Sequence, residues 1–172
     1  MKYLLLLILA MQLTYAQDKI SISILQDSKL LISGDTHGNS PGIFDLILSA
    51  DLEGQQLNWY YFSMRAQYEQ ADLYSGMFYR YSVQSIWTFN KLFIPNLELG
   101  TGIGLSMIHR GGTIKTPGLG SYSFIGELSY PISKKLRMLV RNEFIHRADL
   151  VYWYNETNPL KYNLSAGLEL SI

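Results

Sequence analysis

An all-β chain, eight antiparallel strands closed up-and-down into a transmembrane β-barrel, is what the sequence predicts, on three observations. Apolar residues recur at every second position along nearly the whole chain after residue 17, giving each segment one apolar and one polar face. Aromatic residues reach 13% while charged residues are only 16%, a balance unusual in a water-soluble domain and ordinary for a surface that meets lipid. The alternating segments are as long as tilted membrane-spanning strands with extensions, and the connections between them alternate between short and long.

A chain of 172 residues suits one domain with a core of its own. Lys+Arg and Asp+Glu both number 14, so no basic footprint points to nucleic acid. The absence of cysteine removes disulfides, thiolate zinc sites and a cysteine nucleophile together. At the start, Lys2, the apolar run Tyr3 to Met11 and the ending Thr14-Tyr15-Ala16 have the layout of a cleavable secretory signal. The division expected is therefore a signal peptide over 1–16 and a barrel domain over 17–172. The apolar run is too short to anchor the chain across a bilayer, and no cysteine follows the cleavage site to carry a lipid.

The strands follow in order. Ile20, Ile22 and Ile24 open the first, which Gln26 and Ser28 interrupt before Leu30 and Ile32; a bulge or a later start are its two readings. Phe44, Leu46, Leu48, Ala50 and Leu52 oppose Asp45, Ser49, Asp51 and Glu53 in the second, and Tyr60, Phe62, Met64, Ala66 and Tyr68 oppose Ser63, Arg65, Gln67 and Glu69 in the third. In the fourth, Met77, Tyr79, Tyr81, Val83, Trp87 and Phe89 oppose Arg80, Ser82, Gln84 and Thr88. The fifth sets Phe93, Leu97, Leu99, Ile103, Leu105 and Met107 against Asn96, Glu98, three glycines and Ser106. Tyr122, Phe124, Leu128 and Tyr130 oppose Ser121, Ser123, Glu127 and Ser129 in the sixth, and Leu136, Met138, Val140 and Phe144 oppose Arg137, Arg141, Glu143 and Arg147 in the seventh. The eighth sets Tyr162, Leu164, Ala166, Leu168, Leu170 and Ile172 against Asn163, Ser165, Glu169 and Ser171.

Glu53 to Gln56, Asn90-Lys91 and Pro131 to Lys135 read as short turns, while the stretches near 27–42, 70–76, 109–118 and 148–159 read as longer loops. Short periplasmic turns and longer extracellular loops are the asymmetry of outer-membrane barrels, and eight strands bring both chain ends to the short-turn side. Hydrocarbon offers no partner to an open strand edge, so the sheet must close.

On this pattern the mature chain resembles the small eight-stranded outer-membrane barrels of Gram-negative bacteria, the group of OmpX/Ail-type and OmpA-type barrels. The resemblance implies residence in the outer membrane, contact with its lipid and lipopolysaccharide, and surface loops that meet an extracellular protein or other ligand. Such barrels commonly end on an aromatic residue, whereas this chain ends on Ile172.

Inside a barrel of eight strands there is room only for side chains. Asp45, Arg65, Arg80, Glu98, Glu127, Arg137, Arg141 and Glu143 are therefore expected to form a paired charge network filling the lumen, with Asp51, Glu53, Glu69, Glu169 and Arg147. Gly100, Gly102 and Gly104 alternate within a strand rather than on a strand-to-helix turn, which reads as room for bulky neighbours and not as a dinucleotide loop. Tyr60, Trp87, Phe89, Phe93 and Tyr130 near the short turns, and Tyr68, Tyr122 and Tyr162 near the long loops, read as two interfacial girdles.

The histidines His37, His109 and His146 all fall at the loop end, at spacings that do not suggest a shared metal, and no cofactor is expected. His146 shares its outward parity with Phe144, an odd place for an ionisable group. The stretch His146-Arg147-Ala148-Asp149, with Asn158-Pro159 and Gly167 beyond, resembles in layout the site of PagL-type lipid A deacylases. That resemblance carries over His146 alone, as a base, because Ala148 stands in the serine position, Asp149 in the asparagine position and Leu160 near the acid.

Two function classes follow. The first is a non-enzymatic surface barrel serving membrane integrity or adhesion, its contacts drawn from His109 to Gly118 and Ala148 to Asn158: Tyr152, Trp153 and Tyr154 with Arg110 and Lys115. The second is a lipid A acyl hydrolase working through His146, and a narrow pore is a third. A closed barrel needs no second chain, so a monomer is expected.

Overall fold

Period-two alternation is satisfied by extended chain whose two faces meet different surroundings, and the computed structural model is built of such chain throughout. It describes residues 19–54, 56–74, 76–90, 94–111 and 117–172. The expected signal segment, Phe93 and Lys115 lie outside the described residues. Eight strands, β1 (Lys19–Asp27), β2 (Asp45–Glu53), β3 (Tyr60–Leu73), β4 (Gly76–Phe89), β5 (Glu98–Arg110), β6 (Leu119–Pro131), β7 (Leu136–His146) and β8 (Leu160–Ser171), pair antiparallel with their sequence neighbours. β8 returns to β1, from Ser21 opposite Ser171 to Asp27 opposite Ser165, and the barrel is closed.

Parity holds on every strand. Ile22, Leu48, Val83, Ile103, Leu105, Phe124, Val140 and Leu170 are exposed on the outside, while Ser23, Asp51, Arg65, Arg80, Gln84, Glu127, Arg141 and Glu169 are buried within. This is the inverse of a water-soluble barrel. The lumen also holds apolar residues that the alternation passed over: Leu25, Ile47 and Leu139 pack together in mid-barrel.

Toward one end the polarity reverses along β3. On β3 the outward positions become Gln70 and Asp72 while the buried ones become Ala71 and Leu73. Phe78, Ile108 and Ile145 join Ala71 and Leu73 in one buried cluster, against which Leu30 and Ile43 pack. At this end of β3 the strand is ordered as in a soluble sheet, apolar within and polar without.

Two connections depart from expectation, the first because of that reversal. The predicted long loop near 70–76 is a tight hairpin, with Leu73 paired to Gly76; the strands continue through Ala71 and Leu73, whose inward apolar side chains broke the pattern that marked the strand. Gly76, at φ 113°, adopts the left-handed backbone this turn requires. Of the predicted two-residue turn Asn90-Lys91, Lys91 lies outside the described residues, and β5 begins only at Glu98, because Pro95 lacks a ladder donor and Asn96 takes a positive φ of 68°. Loop length therefore does not divide the two ends cleanly.

Two short helices close the reversed end: α1 (Ser28–Ile32) and α2 (Ala148–Tyr154). Leu30 and Ile32 belong to α1 rather than to an extended or bulged first strand. Asp27 ends the strand by capping the helix, its carboxylate accepting from the backbone N–H of Lys29 at 2.7 Å and of Leu30 at 3.2 Å.

The glycines of β5 face inward where β4 and β6 crowd it. A side chain at Gly102 would strike the backbone carbonyl of Ser85 and the side chain of Ile86, and one at Gly167 would strike the backbone of Ile24 and Leu25 across the seam. Gly126, on the outer wall, has nothing within 4 Å of such a position. Gly102→Ala should cost about 1–3 kcal/mol through overpacking, while Gly126→Ala should stay within about 0.5 kcal/mol of wild type; urea unfolding of the refolded barrel in lipid reads both.

Candidate functional site

From the short-turn end upward, the buried charges are stacked in layers. In the first, the Arg137 guanidinium serves three carboxylates, Glu98 at 3.2 Å, Glu169 at 3.3 Å and Glu53 at 3.8 Å. Tyr61 adds a hydroxyl that donates to Glu98 at 3.0 Å. In the second, Arg65 forks onto Asp51 at 2.5 and 2.9 Å and onto Glu127 at 2.8 and 3.1 Å. Arg141 donates to the same Glu127 at 2.8 Å and to the Gln67 carbonyl at 2.7 Å. In the third, Arg80 donates to Glu69 at 2.6 Å and holds Glu143 with two bonds of 2.8 Å.

Half of these guanidinium–carboxylate pairs join strand neighbours and half join strands that share no ladder. Asp51 is the direct cross-strand partner of Arg65, Glu69 of Arg80, Glu127 of Arg141 and Glu169 of Arg137. Arg65 then reaches from β3 to Glu127 on β6, and Arg80 from β4 to Glu143 on β7. The planar fork of arginine makes this bridging possible, since one guanidinium can meet two carboxylates in bidentate fashion. Asp45, the remaining member of the expected network, forms no ion pair with them, and its buried Oδ1 has no hydrogen-bond partner.

Above the apolar cluster lies a second ionic group that the sequence does not signal. Asp149 of α2, fully buried, accepts from Arg110 at 2.8 Å and from two nitrogens of Arg147 at 2.8 Å each. Both guanidinium groups lie against the Phe78 ring, Arg147 at 4.4 Å and Arg110 at 5.4 Å from its centroid. Burial alone raises the Asp149 carboxyl, but the two arginines more than offset this and hold it well below the usual carboxylate range.

Arg110, expected as a surface contact in the stretch His109 to Gly118, is not one: it is the last inward residue of β5 and is 3% exposed. Tyr152 and Tyr154 are exposed on α2, whereas Trp153 between them is half-buried.

The outermost contacts tie the loops together. His37, between α1 and β2, places Nε2 at 3.1 Å from Glu156, just beyond α2, and its ring lies 5.3 Å from that of Tyr154. Glu156 also accepts from Lys161 at 3.0 Å and from the Asn158 N–H at 3.1 Å. Lys161, Asn158 and His37 together lower the Glu156 carboxyl to about 2.

The three histidines are not brought together. His109 lies beside Tyr79 and His37 beside Tyr154, and among the described residues no group of three or more metal-ligating side chains converges. His146 faces outward with its ring stacked on Tyr122 at 4.9 Å, and its Nδ1 has no hydrogen-bond partner. Ser121 points inward and donates to the His146 backbone carbonyl at 2.5 Å. Asp149 is committed to its two arginines, and among the described residues no carboxylate or hydroxyl meets the His146 Nδ1.

No family model matches the chain, and no curated protein does. Among solved structures, the N-terminal β-barrel domain of Pseudomonas aeruginosa OprF matches with a TM-score of 0.60 at 7% identity, over 91% of this chain and 99% of that one. The likeness is one of fold. A transmembrane β-barrel made by de novo design matches with a TM-score of 0.52 at 8% identity, over 91% of this chain and 99% of the other. Neisserial surface protein A, NspA, matches with a TM-score of 0.47 at 15% identity, over 88% and 94%.

Two measurements test the electrostatics. Arg80→Met strands Glu69 and Glu143 in the lumen, and removal of one partner from a buried ion pair costs about 3–5 kcal/mol; denaturant unfolding in lipid should show a loss of that size. A carboxyl lowered by folding stabilises the folded state above its ordinary value, and the stabilisation fades as pH falls from near 4.5 to about 2 for Glu156. The Glu156 carboxyl carbon should therefore titrate near 2 by NMR in wild type, and move up toward the ordinary value in Lys161→Met.

Proposed function

We propose that the chain is an integral outer-membrane barrel that conducts nothing through its lumen and works as a rigid mount for the surface formed by α1, α2 and their loops. The observation that carries this reading is the apolar outer wall around a polar lumen, with the reversal of polarity at the end of β3. An apolar outer wall that gives way to Gln70 and Asp72 outside and Leu73, Phe78 and Ile145 inside is what a barrel needs where it leaves hydrocarbon for water. That end carries the helices, the ion-paired cap and the exposed aromatics Tyr152 and Tyr154, at 57% and 42%. Aromatic area held on a fixed frame suits contact with another surface at little cost in side-chain entropy.

The resemblance to outer-membrane barrels supports the helical end being the extracellular one, and the short-turn end the periplasmic one. Cleavage of residues 1–16 on export belongs to this reading. The lumen carries guanidinium–carboxylate pairs at three levels, with Arg80 and Arg141 almost wholly buried, and a file of ions has no path past them without breaking those pairs.

Because the chain has no cysteine, single-cysteine variants report location cleanly. With the protein expressed in a Gram-negative host, Tyr152→Cys should react with a membrane-impermeant maleimide on intact cells, and Ser133→Cys only after the outer membrane is permeabilised. Labelling in the opposite order would reverse the orientation, and labelling of neither in permeabilised cells with protein present would sink the membrane-spanning reading. In planar bilayers the purified barrel should give no single-channel steps; reproducible ohmic steps would remove the plug.

A further inference from the structure

At the loop end, between the apolar cluster and the helices, lies a cavity of about 360 Å³. Its size is that of a small-ligand pocket. Leu30, Ala71, Leu73, Phe78, Ile145 and Leu150 supply an apolar wall, and Asp45 stands among the residues that line it.

The charges around this cavity are answered one by one, with a single exception. Glu69 is held by Arg80, Arg147 by Asp149, and Lys161 by Glu156. Asp27 is occupied by the N–H groups of α1, and Asp35 by the Asn39 side chain at 2.7 Å and the His37 N–H at 2.8 Å. Lys29, at the rim, reaches the Tyr162 carbonyl at 3.5 Å. Asp45 is 1% exposed, and its Oδ1 has no hydrogen-bond partner. The Oδ1 of Asn163, 7% exposed and also on the cavity wall, is a second buried acceptor without one.

A buried carboxyl oxygen with no donor and no ion pair is costly, and natural structures seldom keep one without a use for it. We propose that the cavity binds a small organic cation, a primary ammonium on an apolar body, with the ammonium at Asp45 and the body against Leu73, Phe78 and Ile145. An ammonium carries donors and no acceptor, which matches a site whose unpartnered atoms are acceptors. The remaining wall is hydrocarbon, and a metal ion would find too few oxygen ligands there, since no metal-ligating group converges among the described residues.

The test uses the whole barrel refolded in lipid nanodiscs at pH 8, with phenethylammonium as probe and 2-phenylethanol as its uncharged counterpart. Phenethylammonium should shift the NMR resonances of Leu73, Ile145 and Asn163 saturably, and 2-phenylethanol should bind at least about tenfold more weakly. Asp45→Asn should reduce phenethylammonium affinity at least about tenfold while leaving the dispersion of the spectrum intact. Should that variant misfold, Ala71→Leu, which narrows the apolar wall and leaves the carboxyl in place, should weaken binding of the probe. No saturable shift, equal binding of the alcohol, or undiminished binding in both variants overturns the proposal. If Ca²⁺ shifts the same resonances and phenethylammonium does not, the site is a metal site and the proposal falls with it.

Discussion

The seam between β1 and β8 leaves the sheet without an edge, and the lumen, the outer wall and the cap all presuppose it. Backbone N–H and C=O groups facing hydrocarbon have no water to turn to, so each must be satisfied by a neighbouring strand. At the seam the two strands approach so closely that Gly167 lies against the backbone of Ile24 and Leu25. Mid-barrel packing depends on the same closeness, because Leu25 of β1 meets Ile47 and Leu139 there.

Once closed, the barrel encloses a space in which each charge must find its partner. Carboxylates outnumber guanidinium groups along the lumen, and the structure meets the imbalance by sharing: Arg137 among Glu53, Glu98 and Glu169, Arg65 between Asp51 and Glu127, Arg80 between Glu69 and Glu143. Lysine could supply the charge but not the planar fork that makes two such contacts at once. The contacts across the lumen connect opposite walls, so the network also resists flattening of the barrel. Such pairs specify one arrangement more than they add net stability.

The alternation of Leu46 to Leu52, of Tyr79 to Phe89 and of Tyr162 to Ile172 made the barrel and its inward charges legible, because period two leaves no other way to separate the faces. Cross-strand pairs such as Glu127 with Arg141 follow once neighbouring strands are aligned. The pairs across the lumen do not, since Arg80 and Glu143 lie on strands that share no ladder and only the closed geometry brings them together. The hairpin between β3 and β4 is hidden in the sequence because the polarity of β3 reverses before its end; Ala71 and Leu73 follow the rule for water. Asp27 ahead of Leu30 and Leu31 is a helix-start signal that reads equally well as the end of a strand. Arg110 and Asp149 are far apart in sequence and meet only because α2 folds back over the opening, so nothing local marks them as a pair.

The helices flank the seam: α1 follows the first strand and α2 precedes the last. The contact between His37 and Glu156 therefore joins the loop that follows β1 to the loop that precedes β8. Lys161, at the start of β8, holds the same carboxylate. The two strands that close the barrel are thus fastened to each other a second time at its mouth, by side chains where the ladder is by backbone.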